Sequence, residues 1–139
     1  MGDRISIQFK NGEEKSVVLF NHWGGMEFLG WVKRYLRETR AALKSSRTGG
    51  CFPLGRFEPG TVMVDFISWY TAKEKADEKK RLKKGYPFAS DLRAKHIVSN
   101  LYLGADEDDG DNSDNGHHVF DLLEYAQEQD KYGVKKEDE

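Results

Sequence analysis

A chain of 139 residues with 37% hydrophobic and 12% aromatic content has material for one core and not for two. Its apolar runs, of which Thr61 to Tyr70 is typical, are broken by polar residues and fall far short of the roughly 20 that a membrane helix needs. The formal charge of −2 conceals a division: residues 1–105 carry 19 Lys and Arg against 11 Asp and Glu, whereas residues 106–139 carry 3 against 13. A basic body is thus joined to an acidic C-terminal quarter, a polarity that suits either a charged partner or two solvated surfaces.

The first element reads as a β-hairpin. Ile5, Ile7 and Phe9 alternate with polar residues, Asn11-Gly12 is a strong hairpin signal, and Lys15 to Phe20 makes the return strand. Asn21-His22-Trp23-Gly24-Gly25 breaks the strand and allows a tight turn, with Trp23 expected to pack beneath it. From Met26 the period changes, and Phe28, Val32, Tyr35, Leu36 and Leu43 predict a helix from about Glu27 to Ser45. Gly49-Gly50 and Pro53 end it, and the segment through Pro59-Gly60 reads as a loop.

Thr61 to Tyr70 fits both a strand and a helical stripe, and helix is the preferred reading. Its charged continuation through Arg81 is rich in helix formers, and Gly85 and Pro87 stop it. Ile97 to Leu103 and His118 to Leu123 are expected to pair as a second hairpin around a polar loop, Asp106 to Gly116. The predicted fold is α+β: a four-stranded, mainly antiparallel sheet of N-terminal and C-terminal hairpins with two helices packed on one face. One domain, residues 1–124, is followed by a charged tail, residues 125–139, expected to fray.

Opening hairpin, His22-Trp23-Gly24-Gly25 turn and helix together resemble small uncharacterised proteins of prokaryotes and their phages, in which a late polar loop and strand also recur, here Asp111-Asn112-Ser113-Asp114-Asn115-Gly116 to Asp121. The resemblance implies one fold and carries no activity with it; an accessory role in a mobile element is an expectation from the charge division and the lack of catalytic motifs.

Among candidate sites, Asp106, Asp108, Asp109, Asp111 and Asp114 form the densest group, and a flexible loop rich in carboxylates suits calcium or another hard divalent cation. The EF-hand pattern fails, however, because a frame beginning at Asp111 puts Leu122 where a bidentate Glu is required. A solvated loop, or at most weak calcium binding, is the expectation, with no cofactor required. His22, His117 or His118 with loop carboxylates would make a metal-assisted hydrolase if they met, although tandem histidines on a strand face opposite ways. Lys33, Arg37, Arg40 and Lys44 align on one side of the first helix and, with Lys79 to Lys84, offer phosphate contacts to a nucleic acid. Cys51 has no histidine near it in sequence, and as the sole cysteine it suits a reducing, cytoplasmic setting. No nucleotide fingerprint, nucleophile elbow or metalloprotease helix occurs. These readings favour a non-catalytic interaction or accessory protein with a macromolecular partner, protein before nucleic acid, and no membrane.

Overall fold

The computed structural model describes residues 3–46, 58–96, 100–122 and 124. Strands β1 (Ile5–Asn11), β2 (Glu14–Lys15) and β3 (Val18–Asn21) are followed by helices α1 (Glu27–Ser46), α2 (Pro59–Lys83) and α3 (Asp91–Lys95), then by β4 (Leu101–Gly104) and β5 (His117–Asp121). The α+β expectation holds. No helix among the described residues is long and apolar enough to cross a membrane.

The opening hairpin forms as its alternation requires, with Asn11 opposite Glu14 and Gly12 at φ 64° taking the first loop position. Register then slips by one. Lys10 faces Lys15 while Ile7 faces Leu19, so the return strand holds one residue more than β1 between these pairs. This bulge is closed by Ser16, whose amide donates to the Phe9 carbonyl and whose hydroxyl accepts from the Phe9 amide. β2 and β3 are therefore one bulged strand.

Ile5, Ile7 and Phe9 on one face of β1, with Leu19 and Phe120, meet Phe28, Val32, Tyr35 and Leu36 of α1 and Val62, Met63 and Phe66 of α2. Both long helices thus share one face of the sheet. Aromatic edges fill their seam, Phe66 lying 5.3 to 6.0 Å from the rings of Tyr35, Phe28, Tyr70 and Phe9.

Three expectations are corrected. Pro59 and Gly60 open α2 rather than ending a loop, because proline at the first helical turn gives up an amide that has no partner there and brings a preset φ. A third helix, α3, is present, capped by the Ser90 hydroxyl, which accepts from the Arg93 amide. The second hairpin does not form: β4 pairs antiparallel with β3 at one side of the sheet, whereas β5 pairs parallel with β1 at the other. Residues 105–116 must then cross the sheet, a span of about 14 Å over three strand spacings. Ile97 to Ser99 and the tail 125–139 lie outside the described residues.

Candidate functional site

The crossing segment roofs the face that the helices leave bare. Phe20 and Val18, both fully buried, point to that side, and Phe20 stacks on Tyr102 at 4.9 Å. Gly110 lies directly on these rings: a β-carbon there would sit 2.7 Å from Tyr102 and 2.8 Å from Phe20, so only glycine permits the approach. The Tyr102 hydroxyl accepts from the Asp111 amide.

The acidic loop is therefore neither extended nor merely solvated. Arg4 supplies the positive charge, its guanidinium lying 3.2 Å from Asp111 and 3.6 Å from Asp114. The Arg4 amide also donates to Asp114, and its carbonyl accepts from the Asn115 amide. Asp109 turns inward along the chain and accepts from the amides of Ala105 and Asp106. Asp111 accepts from Ser113, and those hydrogen bonds, more than Arg4, hold its carboxyl below the usual range. Asp106 and Asp108 remain exposed.

The histidines do not converge. His117 lies under the roof and His118 faces the other way, its Nε2 2.8 Å from the Asn115 carbonyl. His22 rests against Tyr102 at 5.1 Å, and His96 ends α3. Among the described residues, no three His, Cys, Asp or Glu side chains gather as a metal-ligand set. His117 instead joins a buried polar chain. The Asn112 amide donates to Ser6 Oγ at 2.9 Å, which leaves the Ser6 proton for His117 Nδ1 at 2.7 Å. The His117 Nε2–H then faces Gln8 Oε1 at 3.2 Å, with Glu107 at 3.8 Å, and Gln8 donates onward to the Ser16 carbonyl. Every group in this chain is satisfied by a neutral imidazole, and burial lowers the His117 pKa against the opposing pull of Glu107. Ser6, Glu107 and His117 invite comparison with a nucleophile, acid and base, but Ser6 is fully buried beneath Asn112. The group is a brace across the sheet.

Trp23 does not pack beneath its turn; it is 60% exposed, and it is Asn21 and Phe28 that lie against Gly24. Behind it Tyr70, Asn21 and Glu74 interact, and burial raises the pKa of both Tyr70 and Glu74.

On α1, Lys33 and Arg37 are exposed as expected, whereas Arg40, Lys44 and Cys51 fall where side chains are outside the described residues. Arg34 is engaged, paired with Glu38 at 3.1 Å and lying over the rings of Trp31 and Trp69 at 5.4 and 5.8 Å.

A different surface stands out from the structure. Beyond Phe66 the only buried residue of α2 is Glu78, so the second half of that helix leaves the core. Residues 71–96, which with α3 make an arm, hold nine Lys and Arg against four Asp and Glu, a balance of +5. Glu78 clasps the arm, accepting from the Ser90 amide at 3.0 Å and pairing with Arg81 at 3.2 Å and Arg93 at 3.8 Å. Lys75, Lys79 and Lys83 recur every four residues along α2, with Lys80 and Lys84 beside them. None of the five enters an ion pair among the described residues, and all are exposed.

Helix α2 ends in a Schellman motif: the Gly85 amide, at φ 77°, donates to the Leu82 carbonyl and the Tyr86 amide to that of Arg81. The turn that follows presents Tyr86, 52% exposed, and Phe88, 82% exposed, beside Leu82 and Leu92. Compared with protein-family models, with curated proteins and with solved structures, the chain matches none.

Proposed function

We propose that this chain is a non-catalytic interaction module and that its contact surface is the α2–α3 arm, which takes an acidic macromolecular partner. The observation that carries the reading is the coincidence, on one short stretch, of five lysines without an ion pair among the described residues and the exposed apolar side chains Leu82, Tyr86, Phe88 and Leu92. Exposed apolar side chains close in sequence to like charges have the composition of a binding surface rather than of a solvated one. The basic side of α1 is the lesser candidate, since Arg34 is committed to Glu38 and two tryptophans.

Retention on heparin and on immobilised poly-L-glutamate at low ionic strength tests this. The whole chain is net acidic at −2, so retention would report a local basic surface and not overall charge. Wild type is expected to bind both matrices and to elute with salt, and Lys79→Glu with Lys83→Glu to pass through both. Passage of the wild type through both columns at low salt would end the proposal.

A further inference from the structure

We infer that the arm is a site for single-stranded nucleic acid, in which Tyr86 and Phe88 stack on bases while Lys79, Lys80, Lys83 and Lys84 hold the adjoining phosphates. The inference rests on the arm being the contact surface and names what it contacts.

Three observations support it. Neither Tyr86 nor Phe88 packs against another ring among the described residues, although the helix seam gathers most of the other aromatics into face and edge contacts. Two planar rings, left bare and separated by a single residue, suit successive unstacked bases, because every base has a face to offer. The backbone that carries the rings is also fixed before any ligand arrives. The Schellman motif fixes how the chain leaves α2, Pro87 locks φ between the two rings, and Ser90 is tied to buried Glu78. The backbone share of the ordering entropy that opposes binding is thereby reduced.

Charge supplies the third observation. Glu78 pairs with Arg81 and Arg93, while Lys79, Lys80, Lys83 and Lys84 are left without carboxylate partners among the described residues and run up to the ring-bearing turn. A backbone tracked by lysines and bases held by aromatic faces is how sequence-tolerant single-strand sites are built. An acidic peptide would satisfy the lysines equally well, but would give planar rings no advantage over aliphatic side chains of similar size.

Fluorescence anisotropy with labelled oligo(dT), a duplex of matched length and labelled poly-L-glutamate separates the outcomes. Oligo(dT) is expected to bind more tightly than the duplex. Phe88→Ala and Tyr86→Ala should each weaken oligo(dT) binding roughly five- to tenfold or more, the range seen when a stacking ring is removed. Phe88→Trp should preserve binding and Phe88→Leu should not. Lys79→Ala and Lys83→Ala should each reduce the slope of log affinity against log salt by about 0.7. All these side chains are exposed, and unchanged circular dichroism would verify folding. Duplex binding as tight as oligo(dT), or full retention of affinity in Phe88→Leu, would overturn the single-strand inference. Binding of poly-L-glutamate without oligo(dT) would overturn it while leaving the arm as the contact surface. Binding of none of the three would remove both.

Discussion

The crossing loop and the α2–α3 arm are the two most highly charged regions of the described chain, and the fold treats them oppositely. In the loop, charge is consumed: Arg4 lies between Asp111 and Asp114, Asp109 caps two amides, and Gly110 seats the backbone on Phe20 and Tyr102. In the arm one carboxylate, Glu78, is buried to hold the structure together, and the lysines and two aromatic rings are left outside. A dense run of like charge is therefore a poor guide to a free surface. What sets the arm apart is charge that the described residues do not answer.

The sharpest way to break this contrast is a pair of phenylalanine truncations. Phe20→Ala removes a fully buried ring from beneath the loop and should lower unfolding free energy by about 3–5 kcal/mol in urea denaturation. Phe88→Ala should change it by less than about 0.5 kcal/mol, as expected for a surface side chain. Similar losses for the two would mean that the turn after α2 is packed and not presented.

Arg4→Ala should have a smaller effect, since the pairs it makes are partly exposed and screened by solvent. Its expected signature is local: faster amide exchange through residues 105–116, with no change at residues 79–84, and a global stability loss well below that of Phe20→Ala. Unaltered exchange in the loop would show that hydrogen bonds alone seat it. The same variant sharpens the cation question, because loss of the guanidinium restores repulsion between Asp111 and Asp114; added calcium should protect the loop more in Arg4→Ala than in wild type.

The smallest effect concerns pH. Burial lowers the His117 pKa in the folded chain, so below its ordinary value of 6.5 the unfolded chain takes up the proton more readily. The stability linked to His117 is present above pH 6.5 and is lost as pH falls through the lower, folded value. Glu107 opposes the shift and keeps it modest. Denaturation midpoints should decline between about pH 7 and pH 5, and His117→Gln should flatten that decline relative to wild type. An identical slope in the variant would assign the acid sensitivity to other groups.

Much of this was legible along the chain, because local structure obeys local rules. Alternation over Ile5 to Phe9, the helical stripe from Phe28 to Leu36, and the stop at Gly85 and Pro87 each follow from side-chain period or backbone preference within a few residues. The helix α3 was not foreseen, because its five residues are too short to show a period. The lysines of the arm were visible as a run; the exposure of Tyr86 and Phe88 was not, since an aromatic residue in a sequence is by default assigned to a core.

Partner choice lay beyond the sequence taken by itself. A period of two says that His117 to Asp121 is a strand and that its alternate residues face opposite ways, but it does not say which edge the strand joins. Proximity in sequence favoured β4; tertiary packing selected β1, where Phe120 meets Phe9 beneath the helices. That one choice sent the acidic segment across the sheet and brought Asp111 and Asp114 to Arg4. Composition and period determined the opening hairpin, the two long helices and their inward faces. Only the tertiary structure decided which charges would be answered within the fold and which would be left exposed, because that depends on contacts between residues more than a hundred positions apart.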